Sequence, residues 1–517
     1  MSLRDRRAVR FAPAPGAATA GADPPRVVVV GGGIAGLSAA SALARRGVRV
    51  VVLERAESLG GRLRGWHTTL RDGSDATMTR GFHAFFRQYY NLRALLRRAD
   101  PALAALTPLP DYPLVHRDGR RDSFAGLPTA PPWNAAAFVA TSPSFGWREL
   151  SRVNIVAAME LLDVDVPGVY ERLDRMDALT FLRRVRFPEA ARHLAFEVFS
   201  RSFFAHPGRL SAAELATMFH IYFLGSSEGL LFDVPAEPFP RALWNPLAER
   251  LRADGVRLRT GARAGAVLPG SRRRFAVPVR GGLEGPDVED ADAVVLATDV
   301  AGLRELVAAS PELGDPGWRR RVAGLRTAPP FLVSRLWLDR PVHADRPAFL
   351  GTSGFPTLDN VTVLDRYEGE ARRWARGCGG SVVELHGYAL REGADPAAEH
   401  RRLVGQLHEV YPETAGARIV DQRYELAADC PLFAPGGHAE RPTVSTPDPH
   451  VTLAGDLVRV DLPVALMERA ATTGLLAANS LLSRWRLAGH PVWSVPVRGR
   501  FTAARALARA LRAPRPR

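Results

Sequence analysis

Residues 26–54 read RVVVVGGGIAGLSAASALARRGVRVVVLE, and this stretch decides the fold. Arg26 followed by four valines is a continuous β-branched run, the composition of a central parallel strand buried on both faces. The run ends on Gly31, Gly32 and Gly33, which with Gly36 spell GxGxxG where a strand gives way to a helix. Gly31 permits the tight turn, and Gly33 lets the backbone approach a pyrophosphate. Ile34 and Ala35 open a helix whose N-terminus meets the phosphates, and Gly36 lets that helix pack closely on the strand. The helix is expected over residues 35–46, with Gly47 as its C-terminal cap. A second strand over residues 48–53 ends at Glu54, an acid placed to bind adenosine ribose hydroxyls. A glycine loop alone is weak evidence; one followed by a helix, a strand and an acid about twenty residues on is specific.

The chain has 517 residues, 46% of them hydrophobic and 24% charged, enough for two or three domains with a large core. No apolar run approaches the roughly 20 residues of a spanning helix. Residues 1–25 are rich in Ala, Pro and Gly with scattered Arg, lack the apolar centre of a secretory signal, and are expected to be a flexible leader. Two cysteines, Cys378 and Cys430, are too few for a disulfide framework or a zinc site, so no metal is expected and a reducing cytoplasm fits. The net charge of +15 comes from arginine alone, dispersed along the chain and not gathered with aromatics. That pattern speaks against nucleic acid and fits attraction to an anionic lipid surface.

Beyond Glu54 the sequence ERAESLGGR resembles the ExxxxxGGR extension of the FAD-dependent amine oxidase and carotenoid desaturase superfamily. The resemblance implies FAD as cofactor, with Arg55, Gly61 and Arg62 beside its phosphates. Gly61 permits close backbone approach and Arg62 supplies a forked cationic donor. Far downstream, HVTLA at residues 450–454 leads into Gly455 and Asp456, which the resemblance assigns to the ribityl chain or phosphate. LMERAATTG at residues 466–474 is similar to the family's helix start at the flavin pyrimidine edge, placing Met467 there, although Arg469 stands where the family has glycine. Residues 255–260, 263–267 and 291–298 read as strands, and in relatives Val267 contacts the adenine through its backbone. The fold class is therefore mixed α/β, with a discontinuous Rossmann-like FAD-binding domain over residues 26–90, 240–300 and 441–485. Residues 91–239 and 301–440 form an interleaved substrate or membrane-facing domain, with an expected hairpin at 112–124, and residues 486–517 a basic tail.

Residues 80–92, RGFHAFFRQYYNL, resemble the signature of plant-type phytoene and ζ-carotene desaturases, which implies His83, Ala84 and Tyr89 as flavin-site residues. Over residues 26–495 the chain is most similar to the actinobacterial isorenieratene synthase family. That family aromatises the β-ionone rings of β-carotene while moving a methyl group from C1 to C2. It needs no external methyl donor, and no second glycine-rich nucleotide loop is present. His83 and Glu468 are the candidate bases, and Phe82, Phe85 and Tyr222 the candidate substrate contacts. Apolar segments at 194–199 and 218–224 suit a core or a hydrocarbon tunnel equally. Three other readings stay open: a desaturase of linear carotenes, a flavin amine oxidase, and a non-catalytic carotenoid carrier. A carotenoid substrate requires the bilayer surface, so peripheral attachment to the inner face of the cell membrane is expected. Phe501, Ala504, Leu507, Ala508 and Leu511 share one arc of a possible tail helix, with Arg505, Arg509 and Arg512 beside it. No residue pattern names the electron acceptor or the oligomeric state.

Overall fold

The computed structural model describes residue 5 and residues 7–188, 191, 203–285, 287–500 and 502–512. Its centre is a five-stranded parallel sheet built from strands β1 (Arg26–Val30), β2 (Arg49–Leu53), β3 (Arg257–Arg259), β4 (Ala293–Leu296) and β5 (Val451–Leu453). The spatial order is β3-β2-β1-β4-β5. Val28 pairs with Val51 and Val294, and Val294 pairs in turn with Val451. Val27 to Val29 are fully buried, as valines covered on both faces must be.

Helix α1 (Ile34–Ala44) follows β1, and its N-cap, Gly33, carries no side-chain hydrogen bond. Its first amides are therefore left as open donors. Gly36 is fixed by packing: a Cβ there would lie 1.9 Å from the Gly31 carbonyl oxygen. On its other side α1 crosses the long helix α2 (Leu466–Arg484), where a Cβ on Gly474 would lie 2.1 Å from the Ala35 carbonyl oxygen. Ser38 Oγ donates to the Ala471 carbonyl at 2.8 Å across the same crossing.

A seven-stranded sheet forms the second layer, in the order Ile419–Ala427, Phe331–Leu338, Ser381–Gly387, Asn360–Val363, Phe349–Ser353, Leu114–His116 and Arg121–Asp122. The last two strands are the expected hairpin, turning at Gly119 with φ 95°. Alternation along the buried strand Phe331–Leu338 sends Leu332 and Leu336 into a core with Leu403 and Leu407 of the helix Pro396–Val410, and Phe331 to the opposite face.

The described residues of the segment expected to be a flexible leader are tied down instead. Val9–Phe11 pairs antiparallel with Val492–Ser494, Ala17 N–H donates to the Arg486 carbonyl, and buried Asp5 accepts from the Tyr90 hydroxyl. The tail ends in a helix, Thr502–Arg512, whose Ala508 is buried and whose Arg505 pairs with buried Asp163 at 3.1 Å. Leu507 and Leu511 face outward. Phe501 and the 194–199 segment lie outside the described residues.

The α1–α2 crossing has no room for a methyl group. Gly474→Ala is expected to cost about 1–3 kcal/mol of stability, read as a lowered denaturant midpoint; an unchanged midpoint would show that the helices tolerate separation.

Candidate active site

A cavity of about 860 Å³ runs from the α1 N-terminus to the seven-stranded sheet. Gly31, Gly33, Ile34, Ala35, Glu54, Arg55, Gly61 and Arg62 line one end of it. Both Glu54 oxygens are oriented by backbone amides, Oε2 accepting from Gly32 at 2.7 Å and Oε1 from Ala56 at 2.8 Å. Arg55 pairs with Asp299 at 2.8 Å. Gly60 N–H donates to the Gly32 carbonyl at 2.9 Å, which lays the second glycine pair against the first and leaves a cradle of bare backbone. Arg62 Nη2 reaches Asp456 Oδ1 at 2.6 Å, so the two distant motifs meet in one ion pair on the cavity wall. Uncapped amides, a side-chain-free cradle and a forked arginine together fit a dinucleotide pyrophosphate.

Val267 does not reach this cavity. The strand before it ends at Ala264, Val267 packs into the core, and its N–H donates to Ser310 Oγ at 2.8 Å. Arg263, Ala264, Gly265 and Ala266 line the wall in its place. Gly36 lies beneath the turn and acts only through packing.

His83, Ala84, Tyr89, Gly455 and Met467 line the middle of the cavity. His83 Nδ1 is 2.9 Å from the Gly81 carbonyl, and burial lowers the ring to about 4, so it is neutral near pH 7. The Tyr89 and Tyr222 hydroxyls are 2.6 Å apart. Phe82 stacks on Phe349 at 4.3 Å between centroids, and both face the cavity.

Two expected site residues are turned elsewhere. Phe85 is fully buried in the core; in the two-residue strand Phe85–Phe86 the neighbour Phe86 takes the wall. Glu468 accepts the Asn91 and Leu92 amides, each at 2.9 Å, and Asn91 Nδ2 at 2.8 Å. It therefore braces the start of the helix Tyr90–Leu96, off the main cavity, where burial pushes its carboxyl up to about 8. Arg469, the departure from glycine, is buried and pairs with Glu214 at 2.7 Å while its Nε donates to the Val464 carbonyl. Arg441 holds the other Glu214 oxygen at 2.7 Å.

Several wall residues are additions to the expected site: Arg80, the first residue of the 80–92 string, is bidentate to Asp429 at 2.5 and 2.8 Å, and Cys430, Phe331, His386 and Tyr388 belong to no motif. The pairing of Glu384 and His386 two residues apart on a strand was the one readable hint.

A parallel sheet with a glycine cradle at its carboxyl ends, closed by a strand and helix from the far end of the chain, defines a two-part dinucleotide-binding oxidoreductase. The chain belongs to the family described as flavin containing amine oxidoreductase, which matches residues 34–482, and it is an FAD-dependent oxidoreductase. It is 62% identical over 98% of its length to a carotenoid phi-ring synthase of Streptomyces griseus, covering 97% of that protein. It is 29% identical, over 92% of this chain and 91% of the other, to a carotenoid phi-ring synthase of Chlorobaculum tepidum. In three dimensions it is similar to cyclohexylamine oxidase from Brevibacterium oxydans IH-35A, with a TM-score of 0.62, 14% identity, and coverage of 90% of this chain and 100% of that one. That likeness extends to the fold.

Asp456→Ala leaves Arg62 unpaired beside the cradle, and the purified variant is expected to lose most of its flavin absorbance. Glu468→Gln, which touches only the brace, is expected to keep its flavin and turn over within about threefold of wild type while unfolding at lower denaturant. A flavin-loaded Asp456→Ala, or an inactive but stable Glu468→Gln, would reverse these assignments.

Proposed function

We propose that this chain desaturates and aromatises the β-ionone rings of β-carotene with a methyl shift from C1 to C2, giving isorenieratene-type aromatic carotenoids. The observation that carries this reading is the 62% identity over 98% of the chain to a carotenoid phi-ring synthase. The cavity supports it: beyond the cradle its wall is aromatic, with Phe82, Tyr112, Phe232, Phe331 and Phe349 among the lining side chains. Such faces suit an apolar ring, and each attracts a ring cation by roughly 1–2 kcal/mol when desolvated. FAD, when bound, supplies the hydride acceptor. The chain's own part is to hold the ring, exclude water and receive a proton. The flavin side is assigned to Gly31, Gly33, Glu54, Arg62, His83, Ala84, Tyr89, Asp456 and Met467, and the substrate side to Phe82 and Tyr222. Expression in a β-carotene-accumulating bacterium is expected to give carotenoids with aromatic ends and the matching pigment spectrum. Extra double bonds in an acyclic carotene, or peroxide formed with an amine, would replace the reading, as would a flavin that stays oxidised when substrate is added without oxygen.

The same reading places the protein on a bilayer surface. Among the described residues no helix is long and apolar enough to cross a membrane. Exposed Trp133, Ile155, Val156, Leu507 and Leu511 lie on the helices Trp133–Thr141, Ile155–Ala158 and Thr502–Arg512, the last of which rests on the second. Arg148, Arg152 and Arg509 are exposed on or beside these helices, a set of apolar and cationic groups of the kind that suits anionic lipid. Replacing both Leu507 and Leu511 by Glu is expected to weaken co-sedimentation with anionic liposomes at least about tenfold, since each buried leucine is worth roughly 1.5–3 kcal/mol. Unchanged binding would remove the tail helix from the contact.

A further inference from the structure

On the sheet wall of the cavity, Glu384, His386 and Tyr388 form a hydrogen-bonded line. Spacing by two puts Glu384 and His386 on the same face of the strand Ser381–Gly387, and Tyr388 follows where the strand ends. His386 and Tyr388 both line the cavity, while Glu384 is fully buried behind them. Glu384 Oε1 lies 3.0 Å from His386 Nε2, and His386 Nδ1 lies 2.6 Å from the Tyr388 hydroxyl. Asn360 Nδ2 donates to the same hydroxyl at 3.0 Å. The line abuts the His83 stretch, because a Cβ on Gly81 would meet the His386 ring at 2.5 Å and the Phe82 N–H donates towards Nε2 at 3.2 Å.

Electrostatics orders the protons. Burial by itself would raise the Glu384 carboxyl, but the Arg335 guanidinium 2.8 Å away overrides it and holds the group down at about 2. Two groups compete for Nε2, the Phe82 N–H at 3.2 Å and the Glu384 carboxylate at 3.0 Å. A full negative charge facing a ring lone pair is repelled more strongly than a neutral amide is held by it, so Nε2 carries the ring hydrogen and donates to Glu384. That leaves Nδ1 as acceptor, and the Tyr388 hydroxyl donates to it. Burial raises the Tyr388 phenol, so it stays neutral until its proton has a place to go. His83 lacks this arrangement: burial is the largest influence against its protonation, the Gly81 carbonyl favours it, and His386, Arg62 and Arg80 oppose it again.

We propose that Tyr388 is a catalytic residue of the reaction stated above, receiving the proton that the substrate ring releases, with His386 and Glu384 as positioning residues that draw the phenol proton inward. The inference rests on that reading of the cavity. After hydride loss and methyl migration, a C–H bond beside the cationic carbon breaks. Its electron pair becomes the new ring double bond, its proton bonds to Tyr388 Oη, and the former phenol proton moves to His386 Nδ1. The imidazolium so formed sits against the Glu384 carboxylate, and Asn360 Nδ2–H steadies the phenol oxygen during transfer. Per double bond the substrate gives up one hydride with its electron pair, for which FAD, when bound, would be the acceptor, and one proton to the relay. When product leaves, the proton returns through Tyr388 to water. A neutral phenol backed by a buried carboxylate gives an apolar cavity a base without leaving a bare charge on its wall.

The test uses FAD-loaded wild type, Tyr388→Phe and His386→Gln with β-carotene delivered in liposomes. Tyr388→Phe is expected to match wild type in flavin content and in carotene binding by tryptophan quenching, yet to make product about 10²- to 10⁴-fold more slowly. Retention of turnover within about threefold would overturn the assignment. If wild type yields a desaturated but non-aromatic carotenoid, the ring reading fails while the ratio of Tyr388→Phe to wild type still decides the relay, because every desaturation also discards a proton. A readout independent of turnover is the histidine nitrogen spectrum of the ¹⁵N-labelled holoenzyme. The signal lost in His386→Gln is expected to be a neutral ring protonated on Nε2; a ring protonated on Nδ1 would overturn the proposal even if no carotenoid were turned over.

Discussion

Everything in this molecule depends on strand β4, from the middle of the chain, pairing on one side with β1 and on the other with β5. These hydrogen bonds lie in the buried interior, where a lost partner is costly, so the three strands hold a fixed register. Parallel pairing then puts the carboxyl ends of β1 and β5 at the same edge, which is where the glycine turn and Gly455–Asp456 emerge. The ion pair between Arg62 and Asp456 follows from that register; a slip of one residue would turn the side chains of β5 to the opposite face.

The cavity combines two needs that oppose one another: charge for a pyrophosphate and dryness for a hydrocarbon ring. The protein meets both by setting arginines against acids. Arg62 faces Asp456, Arg80 faces Asp429, Arg335 faces Glu384, and Arg469 shares Glu214 with Arg441. Burial would raise the Glu214 carboxyl, and its two arginines instead hold it down at about 2. Removing one member of such a buried pair typically costs about 3–5 kcal/mol, so these residues are committed to structure as well as chemistry. The aromatic wall can then remain apolar close to strongly charged groups.

Much of the flavin end was legible because its chemistry is written in short, contiguous strings. Gly31, Glu54 and Asp456 each sit at or just past a strand end, and a strand end is visible in sequence as the point where a β-branched run stops. Arg62, in the turn Gly61–Leu63, is marked instead by the glycine pair before it. What could not be read depended on contacts across hundreds of residues or on very short elements. Glu468 looks like an acid at the start of a flavin-facing helix, but its partner Asn91 is 377 positions away. Phe85 and Phe86 differ only in which face of a two-residue strand they occupy, too short a run for alternation to show. Residues 1–25 have the composition of a loose tether, yet their strand finds its partner at Val492–Ser494. His386 and Tyr388 belong to no motif, and beyond the spacing of Glu384 and His386 by two, only the approach of Gly81 to the ring and of Arg335 to Glu384 shows what they share.

The pairing of Val9–Phe11 with Val492–Ser494 also constrains how the protein is made. A ribosome releases the chain from its N-terminus, so this strand is made hundreds of residues before its partner exists. The same delay applies to β5 and α2, without which β4 keeps a bare edge and α1 an uncovered face. Until β5 and α2 have been made, a nascent chain carries a half-built sheet with one wall of the cradle missing.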